Sequence, residues 1–377
     1  MLSPFIYNDI YLLVTTIITI AVVSKYFGIN DEVFKYRDIL IKNRVSYEST
    51  SIFICVCFIL FIGFRPVSGI AFGDMGVYSR SYELIEGTPH VYSSNVDNLL
   101  WDNLFSWWAS NKLGFNNLML LMCAINFGST FLACRKLFPN DTTISFLVFL
   151  GAFSTFSYAT NGVKAGTAAG VFLLAIAYYR KIIICVPLML ISLGFHHSMK
   201  MPIAAFIIAY IYKNPKHLLF AWLLCVAIAA AHITMFQNLF AELSKESGDI
   251  NGAGYLTPDP TDESSYITGF RLDFILYSAA PVWVGWKVII KNKISSNLYS
   301  FLIRLYLILN CIWMLCMYAS YSNRIAYLSW FLYPIVLIFP YLRVKFTDNQ
   351  YKIFGKVVLL HLGFTLAMRY IYYAFLH

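Results

Sequence analysis

The sequence predicts an all-α, polytopic membrane protein that crosses the bilayer about twelve times, and three features carry that reading. Hydrophobic residues make up 59% of the 377 positions and charged residues only 12%, about half the charge that coats an ordinary water-facing domain. The apolar residues gather into runs long enough to cross a hydrocarbon core, which takes roughly 17–25 residues per helix. Short, basic loops separate those runs, as membrane topology requires. A soluble enzyme, a disordered chain and a secreted disulfide scaffold are all excluded by this composition.

In chain order, the apolar runs predict spans near residues 5–26, 49–66, 116–134, 143–160, 164–179, 182–196, 199–212, 218–237, 270–287, 299–319, 325–342 and 354–374. The fifth to seventh are short and joined by tight turns, so ten to twelve spans satisfy the pattern. The first run has no basic leader and no small-residue cleavage site, and reads as a retained span. With the first end outside, the inner loops hold most of the Lys and Arg, including Lys35 to Arg44, which reads as an anchor to anionic lipid. Both ends of the chain are then expected on the outer side. The whole of 1–377 reads as one transmembrane domain with two long external segments. In the first, 67–115, an amphipathic helix over 97–112 sets Leu100, Trp101, Leu104, Phe105 and Trp108 on one face, suited to the membrane interface. The second, 241–269, holds Gly, Asn, Pro and Asp in a pattern that predicts a flexible loop, a plain linker or a lid.

Charge placement narrows the function. None of the 19 Asp and Glu residues falls in the middle of a span, which weakens an ion-coupled transporter, since such proteins carry or pair their ion on intramembrane carboxylates. The net charge of +9 lies in loops and does not indicate nucleic acid. It leaves a phosphate-bearing partner as a lipid headgroup or lipid-linked substrate. Cations recur at the outer ends of helices, against the usual bias: Arg65, Lys164, the His196–His197 turn with Lys200, Arg271 and Arg324. As a set they ask for an external anion; singly, each is also explained by an acid or a lipid phosphate. The eight cysteines form no ligand pattern and read as packing residues. Gly166 and Gly170 read as close helix packing, and His232 and His361 as buried, hydrogen-bonded histidines.

Four segments resemble the O-antigen and capsule repeat-unit polymerases of the Wzy and EpsG-like branch. They are Arg65-Pro66 through Gly73-Asp74 to Tyr78; Gly162-Val-Lys164-Ala-Gly166; Phe195-His196-His197-Ser198; and Asn323-Arg324-Ile-Ala-Tyr327. At Lys164 that branch usually has an Arg, so bidentate phosphate recognition is not expected there. The resemblance implies a GT-C-like helical architecture in a bacterial inner membrane, with the active face periplasmic. It implies glycosyl transfer between undecaprenyl-pyrophosphate-linked oligosaccharides, with no cofactor, no nucleotide sugar and no obligatory metal. A chain-length regulator protein and membrane lipids are the expected partners.

Pyrophosphate leaves readily once its charge is met, so the chemistry asks for cations and at most one base. Arg65, Arg80, Lys164, His196, His197 and Arg324 suit the cation set. Asp74 suits the base, or a salt bridge to Arg65 or Arg80. His196 suits a base, a phosphate donor or a hydrogen-bonded turn residue. Tyr78 and Tyr327 suit sugar stacking or plain packing. A flippase for lipid-linked oligosaccharide, and a ligase or membrane acyltransferase using His196 as base, remain as rival readings.

Overall fold

The computed structural model describes residues 2–29, 45–94, 97–246, 254, 256 and 269–372. The basic segment Lys35 to Arg44 and most of the 241–269 loop lie outside the described residues. The described residues are helical, with no strand among them. Six helical stretches are long and apolar enough to cross a membrane: Pro4–Phe27, Phe115–Leu137, Leu272–Lys291, Asn297–Leu315, Ser322–Arg343 and Gln350–Ile371. Four shorter apolar stretches are Ser49–Gly63, Val163–Ala177, Ile182–Phe195 and His197–Ile211. The protein is therefore a polytopic, membrane-embedded helical protein. The chain forms two compact units, Met1–Met199 with Tyr341–His377, and Lys200–Pro340.

The first unit contains α1 (Tyr7–Phe27), α2 (Val45–Gly63), the single turn α3 (Gly69–Phe72), α4 (Asp74–Ile85), α5 (Leu99–Ser110), α6 (Phe115–Leu137), α7 (Thr142–Leu150), α8 (Thr155–Thr160), α9 (Val163–Ala177) and α10 (Ile182–Phe195). The predicted span 143–160 is broken into α7 and α8. At the break the Thr155 hydroxyl donates to the Phe149 carbonyl at 2.7 Å, meeting a backbone acceptor that a continuous helix would have met itself. Small residues bring α6, α8, α9 and α10 together. A Cβ on Gly170 would stand 2.6 Å from the Asn126 carbonyl oxygen of α6, and one on Gly166 would collide with the Tyr158 carbonyl oxygen of α8. The Ser192 hydroxyl donates to Ala168 O at 2.7 Å across α9 and α10. These contacts replace hydrophobic driving force, which is missing between helices in lipid.

The first unit closes with the segment from Tyr341, which includes α18 (Gln350–Ala367). It runs antiparallel to α1. Tyr26 meets Phe354 at 5.0 Å between ring centroids, and Asp9 meets Arg369 at 3.3 Å at the opposite end. Asp9 and Arg369 thus stand at the same end of the pair. His361 is buried and donates from Nε2 to Val148 O at 2.9 Å, fixing α18 on α7.

The second unit holds α11 (Lys200–Ile211), α12 (Pro215–Ala230), α13 (Met235–Glu246), α14 (Leu272–Gly285), α15 (Asn297–Leu315), α16 (Ser322–Trp330) and α17 (Tyr333–Arg343), the last reaching into the Tyr341 segment. The predicted span 218–237 ends early, and α12 and α13 meet at a bend of 101°. His232 occupies the bend with φ of +57°. It is exposed and stacked 4.0 Å from Tyr318, so its expected burial is corrected. Buried polar bonds tie the helices: Trp222 Nε1 donates to Asn310 Oδ1 at 2.7 Å, and Asn310 Nδ2 donates to Ser329 Oγ at 3.1 Å. Arg304 is buried too, its Nε donating to Ala209 O at 3.1 Å and its Nη1 to Ser300 Oγ at 2.7 Å.

Candidate functional site

The first unit brings three of the four sequence segments together on the frame of α4, α5 and α9. The Gly73-Asp74 step turns the chain from α3 into α4. Gly73 has φ of +51° and ψ of −110°, a backbone region closed to residues with a Cβ. Its bare Cα also admits Asn161, whose Oδ1 would lie 2.6 Å from a Cβ there. That oxygen accepts the Asp74 amide at 2.9 Å and caps the start of α4. Asn161 stands three residues before Lys164, so one loop places both the Asp74 turn and the Lys164 side chain.

Asp74 and Tyr78 are four residues apart and share a face of α4. The Lys164 ammonium lies 5.4 Å above the Tyr78 ring and 5.5 Å above the Trp101 ring. The two rings are 5.4 Å apart. Desolvated contacts of this type contribute about 0.5–2 kcal/mol each. Asp102 and Asp74 are the charges that act on Lys164. Burial pushes the Asp102 carboxyl above its ordinary range, and Lys164 pulls it back. The result is an ammonium set over a pair of neighbouring aromatic rings, with two half-buried carboxylates in its field.

Helix α5 carries this cluster to the histidine turn. Of its apolar face, Trp101 and Phe105 are buried within the protein, as is Ala109, while Leu100 is exposed. Phe105 packs edge-on to Tyr82 of α4 at 5.9 Å, and the Gly87 amide donates to Ala109 O at 3.0 Å. The other end of α5 begins at Asn98, in the left-handed region with φ of +64°. Asn98 Oδ1 accepts the His197 amide at 2.9 Å and stands 3.3 Å from His197 Nδ1. His196 and His197 are stacked at 4.6 Å with 22° between their planes. His196 Nδ1 lies 2.7 Å from Ser198 Oγ and accepts the Ser198 amide at 3.2 Å. Both imidazoles are half-buried.

The remaining candidates stand elsewhere. Arg65 is 1% exposed. Its Nη atoms donate to Ile62 O at 2.8 Å and Thr160 O at 3.1 Å, and its Nε is buried without a hydrogen bond. It is a strut between the end of α2 and the end of α8, not a group at the outer surface. Arg80 is exposed, two residues past Tyr78 and so on the far side of α4. Arg324 and Tyr327 belong to the second unit. Arg324 is half-buried 5.1 Å from the Tyr321 ring, and Tyr327 is buried against Trp330 at 5.7 Å. Arg271, also there, is answered by Asp273 at 2.6 Å.

The family model described as EpsG family matches residues 50–376, nearly the whole chain. The chain belongs to the EpsG family. Membership places it among membrane proteins of the polysaccharide-polymerase type, associated with glycosyltransferase-like chemistry. No curated protein and no solved structure matches the chain. Within this EpsG-family fold, sequence reasoning missed four residues of the site: Asn98, Trp101, Asp102 and Asn161. Trp101 and Asp102 were readable as opposite faces of an amphipathic helix, but not as the neighbours of Lys164. Asn98 reads only as part of the polar face of the 97–112 helix, not as a partner of His197, and Asn161 gives no signal, because a neutral amide in a loop carries neither charge nor hydropathic pattern.

Proposed function

We propose that this EpsG-family chain polymerises undecaprenyl-pyrophosphate-linked oligosaccharide repeat units on the periplasmic face of a bacterial inner membrane. The product is an O-antigen, capsular or exopolysaccharide chain, extended by glycosyl transfer. The observation that carries this reading is Lys164, held over Tyr78 and Trp101 in the field of Asp74 and Asp102. Carboxylates beside aromatic rings suit saccharide hydroxyls, and ring-held cations and imidazole N–H groups suit phosphate oxygens.

In the proposed reaction the acceptor hydroxyl oxygen attacks the anomeric carbon of the donor sugar. The new glycosidic C–O bond forms as the bond from that carbon to the pyrophosphate oxygen breaks. Undecaprenyl pyrophosphate leaves with the bonding pair. Lys164 and the histidine turn meet its charge, and a protein base, either Asp74 or an imidazole, takes the hydroxyl proton. No cofactor enters this scheme. A GT-C-like arrangement of about twelve spans belongs to the same proposal. So does a periplasmic location for the end of α1 that meets Arg369, and so does a chain-length regulator as partner.

Purified protein in liposomes holding two lipid-linked repeats tests the reading. Longer lipid-linked glycan, made without a second component and lost in Lys164→Met, is the expected result. Passage of the repeat across the bilayer without elongation identifies a flippase instead. Transfer only onto a non-repeat acceptor identifies a ligase.

A further inference from the structure

The two stacked histidines are held in opposite tautomers. A backbone N–H can only donate. The atom of Asn98 that meets the His197 amide at 2.9 Å is therefore the carbonyl oxygen. The same oxygen lies 3.3 Å from His197 Nδ1, so that nitrogen carries the proton and Nε2 carries the lone pair. The Ser198 amide donates to His196 Nδ1 at 3.2 Å, so that nitrogen is the acceptor and His196 carries its proton on Nε2. The Ser198 hydroxyl, at 2.7 Å, donates to the same lone pair. Two rings 4.6 Å apart thus present unlike Nε2 atoms, one a donor and one an acceptor.

Resting on the polymerase reading, we propose that this turn divides the work of the transfer step. His197 is the base that takes the acceptor hydroxyl's proton on Nε2. His196 donates Nε2–H to a pyrophosphate oxygen of the donor. Asn98 is the positioning residue that sets the His197 tautomer. The proton leaves the hydroxyl for His197 Nε2 as the new C–O bond forms and the pyrophosphate departs with its electron pair. Release of that proton to water restores the neutral ring. Asp74 then serves sugar hydroxyls within the Lys164 cluster instead of acting as base.

Asn98 is suited to this task by its backbone as well as its side chain. At φ of +64° only Gly, Asn or Asp sits without strain. Asn98→Gly therefore removes the acceptor while leaving the backbone unforced, and Asn98→Asp keeps the acceptor.

The test uses the full chain with ¹⁵N-labelled histidine. Nitrogen spectra of the wild type are expected to contain an Nδ1-protonated signal from His197 beside that of His217, whose Nε2 accepts from Asn214 Nδ2. The His197 signal disappears in His197→Gln and in Asn98→Gly, and persists in His196→Gln and Asn98→Asp. In the elongation assay, His197→Ala loses about 10²-fold or more in kcat and recovers part of it with added imidazole. Asn98→Gly lowers kcat with KM little changed, and Asn98→Asp restores it. His196→Gln, which still offers an N–H, loses less kcat than His196→Ala and shows a raised KM for the lipid-linked donor. A His197→Gln spectrum that has lost no Nδ1-protonated signal overturns the assignment. So does full elongation by His197→Ala, or loss of kcat in Asp74→Asn with none in His197→Ala. A wild type that fails to elongate at all overturns the polymerase reading, and the base assignment with it. A wild type that elongates beside an equally active His197→Ala overturns the base assignment alone.

Discussion

Asn161 holds Asp74 by its backbone, not by its charge: the amide oxygen of one accepts the peptide N–H of the other at 2.9 Å, in a space that exists because residue 73 has no Cβ. A methyl group at position 73 meets two separate objections, a positive φ and an Asn161 oxygen 2.6 Å away. Gly73→Ala is expected to cost about 1–3 kcal/mol of stability and to abolish glycan elongation in the folded fraction. Adding Asn161→Ala relieves the clash but not the backbone strain, so the double variant recovers only part of the loss. Thermal unfolding in detergent, paired with chain-length analysis, checks both.

Helix packing offers an internal comparison. Gly170 and Gly128 both lie in apolar helices, α9 and α6, yet a Cβ at Gly170 would meet the Asn126 backbone at 2.6 Å while one at Gly128 meets nothing within 4 Å. Gly170→Ala is expected to destabilise by about 1–3 kcal/mol, since backbone cannot give way as a side-chain tip can. Gly128→Ala is expected to be neutral or to stabilise by about 0.5–1 kcal/mol, through the helix preference for Ala. Opposite shifts in midpoint temperature are the outcome to look for.

Asp102 predicts a pH dependence with a definite sign. Burial raises its carboxyl, so the folded protein holds that proton more tightly than the unfolded chain does. The stability it contributes is complete below the ordinary carboxylate value and is lost as pH rises through the raised one. Asp102→Asn removes that loss, so the variant gains on the wild type above this window and matches it in acid. Lys164 opposes the raising, so Lys164→Met moves the window upward and Asp102→Asn then gains more. Midpoint temperatures between pH 3 and pH 8 read both effects.

The membrane class was legible because hydropathy and charge deficit act over whole helices, and errors at single residues cancel. Helix α4 was not. Its buried positions Met75, Ser79 and Tyr82 repeat at helical spacing, but with Gly76, Ser79 and Ser81 among them the apolar signal is too thin to stand out from a loop. The Lys164 and His197 ends of the site were legible as misplaced cations. Their holders were not, because Asn161 meets Asp74 across 87 residues and Asn98 meets His197 across 99. The breaks at Gly151 and His232 were hidden for a related reason. Side-chain and backbone partners meet the freed carbonyls there, so the chain stays apolar through a turn.

Arg65 shows the limit of reading depth from a sequence, and it yields the sharpest test of the cation set. A basic residue at a span end reads as external, but hydropathy locates a residue along the membrane normal and says nothing of how far inward the side chain folds back. Here both Nη atoms are taken by Ile62 and Thr160 carbonyls, and the Phe72 ring lies 5.5 Å from the guanidinium carbon. Arg65→Ala empties a long buried side chain and is expected to cost about 2–5 kcal/mol. Arg65→Lys keeps the charge but not the two-armed reach, and should fall between. Arg65→Met keeps the volume and removes the buried Nε that lacks a hydrogen bond, so its stability should come nearest the wild type. Per folded molecule, Arg65→Met should elongate glycan within about threefold of the wild type, because a strut acts through the fold and not on the phosphate. A well-folded Arg65→Met that has lost elongation would instead show that the guanidinium swings out to the substrate during turnover. Folded fraction from size-exclusion profiles, set against chain length per folded molecule, separates the two.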